Sequence, residues 1–339
     1  MTDPKRNSNL VVRIAIGMPT FCSSKYIQRS ILRIVDEIKL FPNNYFLKLV
    51  VCLNGSDSEN ETIIRETLRS MSTIPSKLLI LEHPGKNEAI NAIARYSREI
   101  KCTILHLIDD DVFIDQGAIL SNILALTSSN RKNIMVGSTF KANLHQFQHF
   151  LKEEDDLFKA LKKCFWHNVF RIPFDNHSEE WLFCSAQSLA LYIAHLPTLP
   201  PTSTGITDDA FLNNIFALNG KLIKPKNSLI YFNVADDFSD WRKQQTRILY
   251  GVSKSDGLFN REEINTIYNV LKWPYTGNKR MFTRPARMKF KRLFFYIVYM
   301  CLRKFIEESV AIKVRKNSTP NWGSVQSTKE PIEKRQRQL

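Results

Sequence analysis

The sequence predicts an α/β protein built on a doubly wound, mostly parallel sheet with helices on both faces. Three observations carry this. Over the first 110 residues, short apolar runs of strand character alternate with stretches of helical periodicity. The connections are short, so successive strands run parallel with a helix crossing between them. The fourth apolar run then stops at three consecutive carboxylates, Asp109, Asp110 and Asp111. Open α/β sheets bind their ligands beyond such strand ends.

The elements follow in order. Val12 to Ile16 is a buried strand that ends in the turn Gly17-Met18-Pro19-Thr20. Lys25 to Leu40 has helical spacing. Leu47 to Leu53 is a second strand, closed by Asn54-Gly55-Ser56-Asp57. Glu61 to Ser70 is helical, and Lys77 to Glu82 is a third strand leading into His83-Pro84-Gly85-Lys86. Glu88 to Arg98 is helical, and Thr103 to Ile108 is the strand that meets the carboxylates. Beyond them, Gly117 to Leu126 reads as a helix and Ile134 to Thr139 as a strand. Leu144 to Cys164 reads as a long polar helix and Leu189 to Ala194 as a strand. Thr207 to Leu218 is a helix that opens on Asp208-Asp209. Lys221 to Phe232 reads as a strand pair around Lys226-Asn227, and Trp241 to Tyr250 is helical. There is no internal repeat. Residues 313–339 are poor in apolar residues and rich in Lys, Arg, Gln and Ser, the composition of a disordered tail.

Composition narrows the function classes. A hydrophobic content of 43% supports a real core. The six cysteines are scattered without a CxxC pair, which excludes a disulfide framework or a zinc ribbon and suits a reducing compartment. The first nine residues are polar and lack a signal-peptide core. The longest apolar run, Leu293 to Leu302, has ten residues, short of the roughly 20 that a spanning helix needs. The net charge is +15, and it is unevenly placed. Residues 271–339 hold 17 Lys and Arg against four Glu, a net of +13, while the first 270 residues are nearly neutral. Such asymmetry points to an anionic surface.

Two carboxylate clusters carry the chemistry. In an extended segment successive side chains point to opposite sides, so neighbouring carboxylates of Asp109-Asp110-Asp111 can take different jobs. Carboxylates at a strand end hold a hard divalent cation, which in turn holds a diphosphate. A solvated acidic turn has the same sequence. Asp208-Asp209, at a helix start, reads either as a cap that complements the helix dipole or as a general base facing a substrate hydroxyl. His145 and His149 have helical i, i+4 spacing but no adjacent Glu, and they read as a surface helix. Asp57 to Glu61 lacks the glycine and spacing of a calcium loop.

Several motifs occur in a recognisable order: Met18-Pro19-Thr20-Phe21, Asn54-Gly55-Ser56, Gly85-Lys86-Asn87-Glu88-Ala89-Ile90-Asn91, Asp109-Asp110-Asp111, Ile206-Thr207-Asp208-Asp209 and Gln244-Gln245-Thr246-Arg247-Ile248. Over roughly residues 10–255 the chain resembles the family 2 glycosyltransferases, which have the GT-A fold and invert the sugar's anomeric centre. The resemblance implies a nucleotide-sugar-binding half at 10–140 and an acceptor half at 141–255. These are preceded by a polar segment, 1–9, and followed by a helical membrane-surface segment, 256–312, and the basic tail. It implies a Mn²⁺ or Mg²⁺ cofactor held by Asp109 and Asp111, with Asp109 and Asp110 also near the nucleotide. It assigns Asp209 as general base, with Asp208 as the alternative. Thr20 and Phe21 would line the nucleobase pocket, Asn54 and Asp57 would contact base or ribose, and Lys86 would reach the diphosphate. Gln244 and Arg247 would lie near the donor phosphates and the acceptor. Asn54 departs from the family's usual Asp, Asp208 from its Glu, and Ile248 from its Trp.

The expected partners are a nucleotide-sugar, a UDP-sugar by analogy, and a glycan or lipid-linked acceptor. Met288 to Ile306 has an apolar and aromatic centre flanked by Lys289, Lys291, Arg292, Arg303 and Lys304. That composition suits a helix on an anionic membrane surface, so the expected location is the cytoplasmic, inner face of a membrane. A helix packed on the catalytic domain is the alternative. The same run is too apolar for a simple phosphate clamp, so no nucleic acid is expected, although a basic nucleic-acid binder is the competing non-enzymatic reading. A nucleotidyltransferase would carry a glycine-rich basic loop where this chain has Met18-Pro19-Thr20-Phe21.

Overall fold

The computed structural model describes residues 11–21, 24–55, 57–129, 133–143, 156–177, 181–271 and 290–315. The first half alternates as expected: β1 (Val12–Thr20), α1 (Ser24–Ile38), β2 (Tyr45–Asn54), α2 (Ser58–Ser70), β3 (Ser76–Leu81), α3 (Lys86–Glu99) and β4 (Ile104–Ile108). One boundary differs: β1 runs on through Gly17-Met18-Pro19-Thr20, read from the sequence as a turn, in register with β2. Next come β5 (Val112–Ile114), α4 (Ala118–Thr127), β6 (Ile134–Gly137), β7 (Thr139–Ala142), α5 (Leu157–His177) and β8 (Ser188–Tyr192). The chain then forms α6 (Asp208–Asn219), β9 (Lys221–Ile223), β10 (Leu229–Phe232), α7 (Phe238–Asp256), α8 (Arg261–Leu271) and α9 (Phe290–Arg315).

The main sheet has the order β3-β2-β1-β4-β8-β6-β9. β3, β2, β1 and β4 are mutually parallel, β8 is antiparallel to both β4 and β6, and β9 is parallel to β6. Every residue of β4 is buried, as expected of a strand covered by helices on both faces. β1 takes α3 very closely: a Cβ on Gly17 would come within 2.6 Å of Ile93. A smaller sheet, β5-β10-β7, stands at the carboxyl end of β4.

A buried polar network joins the two sheets. The Asn122 amide donates to His106 Nε2 (3.2 Å) and to Ser138 Oγ (3.0 Å), and Ser138 Oγ lies 2.7 Å from the hydroxyls of both Ser188 and Ser228. Burial pushes the His106 pKa down to about 3, so the ring is neutral.

Three further expectations need correction. Lys221 to Phe232 is not a strand pair. β9 joins the main sheet and β10 the small one, because the chain between them is anchored by Ser228, whose hydroxyl also donates to Ala118 O (3.1 Å). The strand expected over Ile134 to Thr139 breaks at Ser138 for the same reason: the chain changes sheets there. The long helix runs from Leu157 to His177, well past Cys164, while its expected first part, with His145 and His149, lies outside the described residues.

α9 packs against α5 and α7. It buries Tyr296, Tyr299, Arg303, Ile306 and Val310 and leaves Phe294, Ile297, Phe305 and Ile312 more than half exposed. The helix includes 313–315, which the sequence assigns to the tail; 316–339 lie outside the described residues. No helix among the described residues is long and apolar enough to cross a membrane.

Candidate active site

A cavity of about 720 Å³ opens at the carboxyl ends of β1, β2 and β4. One wall is the turn Asp109-Asp110-Asp111. Facing it are Asp208 and Asp209 at the start of α6, and Lys86 at the start of α3. α7 contributes Gln244, Gln245, Arg247 and Ile248, and the deeper wall is aromatic, with Phe140, Phe174, Phe232 and Trp241.

The three consecutive aspartates do different work. Asp110 is buried. Its Oδ2 accepts the Thr20 hydroxyl (2.5 Å) and the Phe21 N–H (3.3 Å), and its carbonyl accepts the Ser30 hydroxyl (2.5 Å). Asp110 and Thr20, read from the sequence as nucleotide contacts, therefore fasten the β1 end and α1 to the carboxylate turn. They line the cavity but spend these polar groups on each other. Phe21 is 55% exposed at the rim, where a flat base can stack on its ring.

Asp109 faces Lys86. The ammonium lies 2.9 Å from Asp109 Oδ1, 3.0 Å from Oδ2 and 3.2 Å from Asp208 Oδ2. Burial opposes the charge on Lys86, but Asp109 and Asp208 outweigh it and hold its pKa above the ordinary lysine range. Burial pushes Asp109 up to about 7, with Asp111 and Asp208 adding repulsion and Lys86 opposing them. Asp209 is also raised, first by burial and then by Asp208, against the pull of Lys86 and hydrogen bonds from the Thr207 hydroxyl and the Ala210 N–H.

Remote parts of the chain hold this arrangement. The Asn54 side chain accepts the Gly85 N–H (2.5 Å), which ties the end of β2 to the turn before α3. α3 then clamps the loop that leads to Asp208. The Asn87 amide donates to Pro200 O (2.7 Å) and Ile206 O (2.9 Å), Glu88 accepts the Thr202 N–H (2.9 Å) and hydroxyl (2.6 Å), and Asn91 pairs with both backbone groups of Leu199. Gly251 in α7 lets Thr207 seat against the helix, since a Cβ there would come within 2.5 Å of the Thr207 methyl. Asn54, Asn87, Glu88 and Asn91 lie in motifs that the sequence shows, but their distant partners cannot be read from it. Asn87, Glu88 and Asn91 look like ordinary residues of a helix's first turns.

Asp57 is a correction. It is not on the cavity wall. Its Oδ1 accepts the N–H groups of Glu59 and Asn60 (3.1 and 3.0 Å), and its Oδ2 accepts the Asn60 amide (2.7 Å), so it caps α2. Arg247 and Gln244 do face the cavity, whereas Arg242 and Lys243 on the same helix are exposed to solvent. Gln245, which the sequence reading passed over, is buried on the cavity wall with its Oε1 lacking a hydrogen-bond partner.

Asp109 and Asp111 suit a hard cation that takes oxygen ligands. No cluster of three or more His, Cys, Asp or Glu among the described residues is arranged to hold a metal by itself. Such a two-carboxylate set fits a cation whose other ligands are phosphate oxygens and water.

No protein-family model matches the sequence, and no curated protein matches it. Solved structures do. Mannosyltransferase PcManGT from Pyrobaculum calidifontis, in complex with GDP-Man and Mn²⁺, superposes with a TM-score of 0.60 at 13% identity, over 90% of this chain and 88% of that one. S. aureus TarS 1–349 in complex with UDP matches with a TM-score of 0.47 at 12% identity, over 93% and 95% of the two chains. Glucosyl-3-phosphoglycerate synthase from Mycobacterium tuberculosis, with Mn²⁺ and UDP-glucose, matches at 0.45 and 12% identity, over 73% and 80%. With the mannosyltransferase matched along nearly its whole length, the architecture of this chain is a GT-A glycosyltransferase fold.

Proposed function

We propose that the protein is a metal-dependent, inverting glycosyltransferase of the family 2 type. It transfers a sugar from a nucleotide-sugar, a UDP-sugar by analogy, to a glycan or lipid-linked acceptor at the cytoplasmic face of a membrane. The observation that carries this reading is the convergence of the Asp109–Asp111 turn, Lys86 and the Asp208–Asp209 helix start on one cavity. Segments about 100 residues apart in sequence meet there because the sheet puts the ends of β1, β2 and β4 side by side and α3 holds the loop that leads to Asp208.

The chemistry follows from that placement. The base stacks on Phe21. Lys86 and Arg247 meet the diphosphate, whose charge grows as the glycosidic bond breaks. Asp109 and Asp111 would hold a divalent cation, which supplies Lewis-acid stabilisation of that leaving group. Asp209 takes the proton from the attacking acceptor hydroxyl. Its raised pKa keeps it a useful base, since proton transfer is most efficient when the catalytic pKa lies near the working pH. A single displacement of this kind inverts the anomeric centre.

The aromatic wall suits an acceptor with apolar surface. Trp241 stacks on Phe170 with centroids 4.6 Å apart and planes 4° apart, and Phe170 stacks on Trp166 at 5.4 Å. Trp241 also meets Tyr299 of α9 edge-on at 5.9 Å. The helix that carries the exposed apolar stripe thus packs directly behind the acceptor wall.

The proposed membrane contact is the outer face of α9 together with the start of α5. Leu157, Phe158 and Leu161 of α5 are 54–76% exposed. The Phe165–Phe295 ring contact at 5.6 Å joins these two helices near that end. Exposed Lys159, Lys162 and Lys304 lie among the apolar residues, and each cation near an anionic surface contributes ~1 kcal/mol. The partner is therefore an anionic lipid bilayer. Truncation before α9 is a poor test, because it would expose the buried inner face. The pair Phe294→Ser and Phe305→Ser changes only exposed side chains. It is expected to leave the melting temperature and nucleotide binding unchanged and to abolish co-sedimentation with phosphatidylglycerol vesicles. Unchanged sedimentation would remove the membrane assignment, and a loss of self-association instead would assign the face to a second copy of the chain.

The activity is tested with a panel of nucleotide-sugars. One of them should show Mn²⁺- or Mg²⁺-dependent binding and slow hydrolysis, blocked by EDTA. A protein that binds none, with or without metal, is not a glycosyltransferase of this type.

A further inference from the structure

Lys86 is placed to do more than meet a phosphate. Its ammonium lies 2.9–3.0 Å from both oxygens of Asp109 and 3.2 Å from Asp208 Oδ2. That Asp208 oxygen is buried and takes no hydrogen bond, so the charge of Lys86 is what balances it there. A divalent cation binds a carboxylate oxygen at roughly 2.0–2.6 Å. With the ammonium already about 3 Å from both Asp109 oxygens, a cation on that carboxylate would meet a like charge at close range in a partly buried site, where repulsion is poorly screened. The ammonium in this position therefore competes with a metal for Asp109.

We propose that Lys86 is a built-in counter-cation of the unliganded site, displaced by the nucleotide. Without a nucleotide it neutralises Asp109 and Asp208, which would otherwise repel each other across the cavity. A nucleoside diphosphate offers the ammonium a stronger partner. The flexible four-carbon stem lets the head swing away from the two carboxylates. Once Lys86 has moved, Asp109 is open to the cation that the diphosphate brings. Two further features agree with this order. Among the described residues, no cluster of three or more His, Cys, Asp or Glu is arranged to capture a metal alone. The clamp of Asn87, Glu88 and Asn91 holds the backbone of α3 and the Asp208 loop in place, so the side chain can move without the helix. The proposal rests on the glycosyltransferase reading, and it makes the site bind metal and nucleotide with mutual reinforcement. By linkage, each must raise the other's affinity by the same factor.

The test measures Mn²⁺ binding directly, by electron paramagnetic resonance and calorimetry, with and without UDP. In the wild-type chain, UDP is expected to tighten Mn²⁺ binding by on the order of tenfold or more, within the usual range of coupling between sites. In Lys86→Met, Mn²⁺ alone should bind on the order of tenfold more tightly than to the wild type, UDP alone should bind more weakly, and the coupling factor should shrink to the part that direct contact of the cation with the diphosphate supplies. Mn²⁺ without nucleotide should also raise the melting temperature of the variant more than that of the wild type. Lys86→Gln repeats the test should Lys86→Met fold poorly. If the variants bind Mn²⁺ alone no better than the wild type while UDP-dependent Mn²⁺ binding persists, the counter-cation role is wrong and the function stands. If the wild type binds no Mn²⁺ with UDP or GDP, both fall together.

Discussion

Asp111→Asn is expected to remove most sugar transfer while leaving the fold intact. The side chain sits on the cavity wall just beyond β4, and Asn preserves its shape while removing one charge from the cation site. Metal stabilisation of a leaving diphosphate contributes several kcal/mol to the barrier, and each 1.36 kcal/mol is a factor of ten in rate. The loss is therefore on the order of 10²–10⁴-fold in kcat. The decisive companion measurement is thermal: Mn²⁺ with a nucleoside diphosphate should raise the melting temperature of the wild type and not of the variant. Normal turnover by the variant in EDTA would show that no metal acts in the reaction. Asp110→Asn should behave differently. Asp110 holds Thr20, Phe21 and Ser30, so its loss should appear first in stability.

That contrast shows where sequence reasoning reaches and where it stops. The parallel half was legible because β1, β2 and β4 are buried on both faces, so their apolar runs are nearly continuous, and the helices between them keep a clean period. The strand-end carboxylates were legible because a doubly wound sheet brings its strand ends together wherever the rest of the chain goes. The division of labour among neighbours was not. Asp57 capping a helix, Asp110 tying down a turn and Asp109 facing a lysine are the same residue type in similar loops, and only their partners distinguish them. Those partners are distant: Thr20 is 90 positions from Asp110, and Asn87 reaches Pro200 and Ile206. α9 was ambiguous for another reason. Both of its faces are apolar, so its composition could not say that Tyr299 meets Trp241 while Phe294 and Phe305 face outward. Short strands such as β9 and β10 carry too few residues for their pattern to name a sheet.

Asp209→Asn is expected to separate binding from chemistry. Nothing in its placement ties the fold to its charge: it accepts hydrogen bonds from the Thr207 hydroxyl and the adjacent Ala210 N–H, which an amide oxygen can also accept. Donor affinity should be nearly unchanged. The chemical step should fall by ~10²–10⁴-fold, the usual contribution of general-base assistance. Asp208→Asn should do the reverse. Asp208 faces Lys86, so its loss should alter metal and nucleotide affinity more than kcat. The pH profile gives an independent reading. A base works only when deprotonated, and burial with the neighbouring Asp208 raises the Asp209 pKa above the ordinary aspartate range. In the wild type, kcat should therefore decline on the acid side at a pH higher than an exposed aspartate would give, with full activity above that limb. With metal saturating, so that Asp109 stays ionised, the residual rate of Asp209→Asn should lose the limb, because the group that titrates is gone. Equal, mild effects of both substitutions with an unchanged acid limb would leave the two aspartates only the job of capping α6, and the base would have to be sought elsewhere on the cavity wall.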